Sequence, residues 1–106
     1  MEEALRALSH PVRRRMLELA WDRERGSSDL AQRTGVSRPV ASQHLKVLRD
    51  AGLVVVRPDG NRRLYRVDVD RVAAVRGELE RFWRSRLDTL GRTAGGRGRG
   101  RGPRRG

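Results

Sequence analysis

Cysteine is absent from the 106-residue sequence, and histidine, lysine and aromatic residues are scarce, with two, one and four occurrences. The absence of thiols excludes disulfides, thiolate nucleophiles and thiolate metal sites. Two isolated histidines are too few to complete a zinc or arsenic site. No apolar run approaches the roughly 18 residues of a membrane-spanning helix, and the acidic start MEEALRALSH is unlike a secretory signal. We therefore expect a cytoplasmic protein with no metal, no cofactor and no membrane contact.

Catalytic motifs are lacking as well. No Ser-His-acid arrangement stands out among these residues. The glycine-rich GRGRG near the C-terminal end neither follows a strand nor opens a helix, as a phosphate-binding loop does. The sequence therefore does not indicate an enzyme.

The charged residues of the sequence are mostly positive: 25 Lys and Arg side chains and 13 Asp and Glu side chains give a net charge of +12. A chain of about 100 residues forms one domain, and this charge indicates a polyanion such as nucleic acid as the partner. GC-rich codon usage is a second explanation for part of this bias, since Arg, Gly, Ala and Val all have GC-rich codons.

The charge is concentrated in residues 91–106, GRTAGGRGRGRGPRRG, which hold six arginines, seven glycines and no acid. A segment with nothing to bury is expected to be disordered. Two interpretations of this tail stay open: a solvated extension shaped by codon usage, or an RGG-like contact to nucleic acid. Residues 1–90 keep a globular share of apolar side chains and form the predicted domain.

Helical periodicity, capping residues and glycine stops predict four helices in the first half of the chain. Pro is favoured in a first helical turn, Ser at an N-cap and Gly just beyond a C-terminus. The first predicted helix spans residues 2–8, with Leu5 and Leu8 on one face, and the second starts at Pro11 and breaks at 23–26. The third is capped by Ser27 or Ser28 and stops at Gly35. The fourth is capped by Ser37 and runs to Asp50.

The periodicity changes after Gly52. The β-branched run 53–57 predicts a strand, residues 58–61 a turn, and residues 62–67 a second strand. Asp68 or Asp70 then caps a long final helix. The predicted order is α-α-α-α-β-β-α, a mainly α fold with a small β-hairpin.

The third and fourth helices, joined by a short glycine-containing turn, have the helix-turn-helix pattern. Projection of the fourth helix places Ala41, Leu45 and Leu48 on a buried side. The opposite face is short-chained, polar and basic, and it begins at a helix N-terminus, as insertion into a DNA major groove requires. On this face Arg38 and Gln43 are expected to reach base edges, while Ser37, Ser42 and Lys46 contact the backbone. The predicted DNA-binding residues are Ser37, Arg38, Pro39, Val40, Ser42, Gln43 and Lys46, with Arg62 and Arg63 from the hairpin.

The hairpin directly after this helix strengthens the interpretation, because arginines 57, 62, 63 and 66 surround its turn. A basic hairpin of this kind can lie on the phosphate backbone or in the minor groove. The predicted fold is therefore a winged helix-turn-helix.

Four stretches resemble the ArsR/SmtB-type family of winged helix-turn-helix repressors, and the likeness covers residues 4–90. The resemblance implies a homodimer, joined mainly through its terminal helices, that binds a roughly palindromic operator. The four stretches are 37–54 (SRPVASQHLKVLRDAGLV), 5–17 (LRALSHPVRRRML), 59–67 (DGNRRLYRV) and 82–90 (FWRSRLDTL), the last similar to a branch of the family without metal ligands.

The sequence departs from the metal sensors of that family. Those proteins carry thiolates where this chain has 26–30, GSSDL, and they can carry further ligands on the last helix, where this chain has no histidine. His10 is expected to help a helix start, and His44 to pack at the edge of the fourth helix, rather than to act as switches. Metal sensing is therefore not expected.

The apolar stripe of the last helix has two interpretations, since it can cover the core of its own chain or form an interface between chains. We favour dimerisation, because the stripe continues beyond the reach of a 90-residue core. The predicted interface residues are Leu5, Leu8, Val75, Leu79, Phe82, Trp83, Leu87 and Leu90.

The sequence thus predicts a sequence-specific DNA-binding transcriptional regulator, a repressor acting as a homodimer, with no assigned effector. A non-specific nucleic-acid-binding protein is the main alternative, because charge and an Arg-Gly tail suffice for it. A winged helix used for protein contacts is a third interpretation.

Overall fold

The computed structural model describes residues 1–94 and divides into two units, one of residues 1–75 and one that begins at Arg76. It has the predicted mainly α architecture with a hairpin wing, and it adds one short strand. In chain order the elements are α1 (Glu2–Leu8), α2 (Pro11–Leu19), β1 (Arg25–Gly26), α3 (Ser27–Thr34), α4 (Arg38–Asp50), β2 (Val54–Asp59), β3 (Arg62–Val67) and α5 (Val69–Ala94).

Three helix starts are capped as predicted. The Nδ1 atom of His10 accepts a hydrogen bond from the backbone N–H of Val12 at 3.1 Å and so caps α2. The Ser37 hydroxyl accepts from the N–H of Val40 at 3.3 Å at the start of α4, and Asp68 accepts from the N–H of Arg71 at 3.1 Å at the start of α5. These side chains satisfy N–H groups that have no partner within the helix.

The prediction that Ser27 or Ser28 caps α3 is wrong. Gly26 occupies the N-cap position without a side-chain hydrogen bond, and Ser27 is already helical. The cause is β1, a strand that the sequence interpretation missed, in which Arg25 pairs with Tyr65 and Gly26 with Leu64 of β3. This pairing keeps the chain extended up to Gly26, so that Gly26 takes the N-cap position and α3 begins at Ser27, earlier than a cap at Ser27 or Ser28 would place it.

The sheet has the strand order β1-β3-β2, and β2 pairs with β3 in a continuous antiparallel register that ends at Asp59 and Arg62. The loop is therefore two residues long, Gly60 and Asn61, rather than the predicted four. Gly60 has φ of +62°, which glycine tolerates at the first position of a two-residue hairpin. Pro58 lies within β2, where it is tolerated because β2 is an edge strand.

The core of the first unit is formed by helices and sheet together. The fully buried large side chains are Met16, Leu30, Leu45, Leu48 and Leu53. From α1 the core receives Ala4 and Ala7, which are 0% exposed, whereas Leu5 remains 39% exposed. Of the apolar face predicted for α1, Leu8 packs against the core as a partly buried side chain, whereas Leu5 does not.

Helix α5 continues to Ala94. Residues 91–94 are therefore the end of this helix, which corrects the predicted start of the disordered tail at 91. The rest of that tail, 95–106, lies outside the described residues. Within residues 1–94 no helix is both long and apolar enough to span a membrane.

Candidate nucleic-acid interface

Helix α4 separates its two faces as its sequence predicts. Ala41, Leu45 and Leu48 are 0–1% exposed and pack into the core. All seven residues predicted to face DNA from this helix and its cap are exposed, namely Ser37, Arg38, Pro39, Val40, Ser42, Gln43 and Lys46. The packing of one side therefore presents the other side as a surface of polar and basic groups that starts at a helix N-terminus.

The charged groups of this surface differ in their availability. Lys46 donates to the Asp50 carboxylate at 2.8 Å, and this hydrogen bond holds the pKa of Asp50 below its ordinary value. Within residues 1–94 neither Arg38 nor Gln43 has a hydrogen-bond or ion-pair partner. Their side chains are therefore free to bind another molecule.

The structure brings the start of α4 and the wing to one cleft of about 400 Å³. Four of the predicted DNA-binding residues line this cleft: Arg38 and Ser42 from α4, and Arg62 and Arg63 from β3. Sequence reasoning missed the other lining residues, which are Ser27, Ser28, Asn61 and Tyr65. We call this space the α4–wing cleft.

A second cleft of about 210 Å³ shares Ser42, Arg63 and Tyr65 with the first and extends along α4 to Lys46 and Arg49. Arg49 is a further basic residue that the sequence interpretation did not include. Its position about three turns from the N-terminus of α4 could have been found by following the polar face of the helix to its end.

The arginines of the wing do not all face outward as free charges. Arg57 forms two hydrogen bonds with the Glu24 carboxylate, at 2.8 and 2.9 Å, and these bonds lower the pKa of Glu24 and raise that of Arg57. Arg62 bonds to Asp59 at 3.2 Å. Within the described residues Arg63 has no such partner, so it is the free wing cation of the α4–wing cleft.

Both histidines lie together at the inner edge of α4. The ring centroids of His10 and His44 are 4.4 Å apart, and Nη1 of Arg13 lies 3.2 Å from Nδ1 of His44. Burial lowers the pKa of His44, and the nearby His10 and Arg13 lower it further. His44 therefore packs at the edge of α4, as expected, and its surroundings favour the neutral form of the ring.

We expect the free energy of unfolding to fall as the pH is lowered through about 6.5, the ordinary histidine pKa. The unfolded chain binds a proton to His44 in a pH range where the folded chain does not, so acid favours unfolding. Urea unfolding at intervals from pH 7.5 to 5.5 measures this dependence.

The variant H44Q should flatten the pH dependence, while H10N, which keeps a capping acceptor, should retain part of it. An identical pH dependence in H44Q would contradict the assignment to His44.

The apolar stripe of α5 is partly core and partly surface. Val75 is 3% exposed and packs in the core of its own chain, so its assignment to an interface between chains is wrong. Leu79 is half-buried. Beyond it Phe82, Trp83, Leu87 and Leu90 are 39–62% exposed, and the rings of Phe82 and Trp83 meet edge-to-face at 5.2 Å. We call these four residues the α5 apolar patch.

Among residues 1–94 no three His, Cys, Asp or Glu side chains lie close enough to hold a metal ion. In the first unit, polar side chains from α3, α4 and the wing converge on the α4–wing cleft. A compact helical unit with an exposed helix N-terminus beside a basic hairpin defines a winged helix-turn-helix DNA-binding protein.

Comparison with known proteins agrees with this class. Residues 8–57 match the family model described as a helix-turn-helix domain. The HTH-type transcriptional regulator Rv2034 of Mycobacterium tuberculosis is 44% identical over 82 residues, which are 77% of each chain.

Two solved structures are also similar. A possible transcriptional regulator for arsenical resistance has 40% identity and a TM-score of 0.71, over 83% of this chain and 92% of that one. The homodimeric winged helix-turn-helix DNA-binding domain of a possible ArsR-family regulator from Mycobacterium bovis has 28% identity and a TM-score of 0.64, over 83% and 82%.

The chain therefore belongs to the ArsR/SmtB-type family of winged helix-turn-helix transcriptional regulators. It is a DNA-binding transcriptional regulator, which confirms the main sequence interpretation and not the non-specific alternative. These relatives have regulatory rather than enzymatic roles.

Proposed function

We propose that this protein is a cytoplasmic transcriptional repressor that binds, as a homodimer, a roughly palindromic operator in double-stranded DNA, without a metal effector. The observation that carries the proposal is the exposed N-terminal half of α4, where Arg38 and Gln43 lack partners in the described part of the chain, next to the free cation of Arg63. This surface combines hydrogen-bonding groups for base edges with charge for phosphates.

Within this proposal the side chains divide by chemistry. Arg38 and Gln43 read base edges in the major groove, and Val40 and Pro39 supply apolar contacts of the kind that thymine methyl groups accept. Hydroxyl and ammonium groups, those of Ser37, Ser42 and Lys46, contact the phosphate backbone. Arg62 and Arg63 of the wing contact the phosphate backbone or the minor groove of the adjacent turn of DNA.

The homodimer forms through the α5 apolar patch together with Leu5, Leu8 and Leu79. Exposed apolar side chains grouped on one helix mark an interface, and a two-fold axis repeats the same patch on both chains. Such a dimer places two copies of α4 about 34 Å apart, one turn of DNA. The homodimeric state of the M. bovis domain supports this arrangement.

A selection from a randomised duplex library tests the proposal. We expect the full chain to enrich one inverted repeat whose half-sites lie about one helical turn apart. A uniform population after selection would indicate a non-specific coat, and the absence of binding would indicate a protein-contact module. The variant Q43A, selected in parallel, should lose the preference at one position of each half-site.

A further inference from the structure

Tyr65 is the one tyrosine of the chain, and none of the described residues pairs with its hydroxyl. The side chain is 7% exposed, and within residues 1–94 no group hydrogen-bonds to it. A nearly buried hydroxyl in a native fold almost always has a hydrogen-bond partner, from protein, water or ligand. Within the described residues the hydrogen-bonding capacity of the Tyr65 hydroxyl is therefore unfilled, and a bound ligand can fill it.

The position of Tyr65 shows where such a ligand enters. The residue lies on the central strand β3, between Arg25 of β1 and Val56 of β2. It lines the α4–wing cleft and also the adjoining cleft that runs along α4. The small exposed part of the ring thus lies where α4, the wing and the start of α3 meet.

The groups around this point favour an anion. Helix α3 has Gly26 at its N-cap position and no side-chain cap, so no capping side chain offsets the positive end of its dipole, and its first residues, Ser27 and Ser28, line the cleft. The one acidic group of its first turn, Asp29, is held by Arg33 at 2.8 Å and Arg25 at 3.2 Å, which lowers its pKa. Arg63, on the other wall, has no partner in the described residues.

We propose that the α4–wing cleft binds one phosphate of the DNA backbone in each half-site, with the Tyr65 hydroxyl donating a hydrogen bond to it. Ser28 and Ser42 offer further hydroxyl donors, and Arg63 neutralises the charge. Charge-assisted hydrogen bonds of this kind are short and strong. The inference rests on the proposed function, and it makes Tyr65 a positioning residue that sets how far α4 enters the major groove.

The test uses the selected operator with one phosphate at a time replaced by a neutral methylphosphonate. For the wild-type full chain we expect one linkage in each half-site at which this replacement weakens binding by about tenfold or more, as loss of a hydrogen bond to a charged group does. In Y65F, which keeps the ring and its packing, binding to the natural operator should weaken by a similar factor. The replacement at that linkage should then have little further effect.

Two further variants keep the result interpretable. S28A removes a second hydroxyl of the cleft and should reduce the effect at the same linkage even if Y65F unfolds. S9A removes a hydroxyl that bonds to Arg6 at the end of α1 and should leave the linkage profile unchanged. Thermal melting of each variant reports whether its fold is intact.

Two results with a folded Y65F would overturn the phosphate site while leaving the repressor proposal standing. One is operator binding as strong as that of wild type. The other is weaker binding in which the methylphosphonate replacements have the same effects, linkage by linkage, as in wild type. A wild-type chain that selects no operator would instead contradict the proposed function itself.

Discussion

Replacing Leu87 and Leu90 together by glutamine is expected to turn the proposed dimer into a monomer and to weaken operator binding at least a hundredfold. These side chains are 61% and 62% exposed in the single chain, so the substitution leaves the fold of each protomer intact. Burial of a leucine contributes about 1.5–3 kcal/mol when complete. Four partly buried leucines per dimer therefore account for several kcal/mol of association energy.

The effect on DNA binding follows from bivalency. A dimer that binds two half-sites with its two α4 helices has an affinity about 10²–10⁴ times that of a monomer bound to one half-site. Glutamine is uncharged and favourable in helices, so the attraction of the protein for phosphate is unchanged. Sedimentation velocity at micromolar concentration measures the association state, and titration of the operator measures the affinity.

S85Q is the matched control, since it places the same side chain on α5 at a position that is not apolar. This variant should remain dimeric and should bind the operator like wild type. A double leucine variant that still sediments as a dimer would locate the interface away from the α5 apolar patch.

Replacing Gln43 by alanine is expected to cost about 1–3 kcal/mol on the operator and to relax the preference at one base position in each half-site. Gln43 is exposed, and none of the described residues holds its amide, so the substitution removes no intramolecular hydrogen bond. R38A should have an effect of similar size at a neighbouring position. Repeating the duplex selection with each variant identifies the position that has been relaxed.

K46A serves as the control for a phosphate contact. It should weaken binding to all sequences by a similar factor and make the dependence of log K on log salt shallower by about one unit per contact. If Q43A instead weakened binding to all duplexes equally, Gln43 would contact the DNA backbone, and Arg38 would be the residue that contacts base edges.

Local features of this fold could be predicted from the sequence because their causes lie within a few residues. The caps at His10, Ser37 and Asp68 act on N–H groups two or three residues away. The division of α4 into a buried and an exposed face follows from the period of 3.6 residues alone. Since that face carries most of the candidate DNA-binding side chains, the sequence was also sufficient to indicate the class of function.

What the sequence could not determine depends on contacts between distant segments. Two residues of β1 carry no strand signal of their own and become a strand only through pairing with Tyr65 and Leu64. That pairing moved the start of α3 and left it uncapped. The pairing of Arg57 with Glu24, 33 residues away, likewise removed a wing charge that the sequence had counted as free.

The same distinction separates Val75 from Leu87 on one apolar stripe. Both stand at helical spacing, and the sequence by itself determined that they share a face of α5. Only the tertiary structure decided that Val75 is 3% exposed and Leu87 61% exposed, because burial depends on whether other elements lie against that turn of the helix. Tyr65 is a further case: its neighbour Leu64 is buried as well, so alternation along β3 did not determine which of the two side chains faces inward, and only the meeting of α3, α4 and the wing placed Tyr65 at the wall of a cleft.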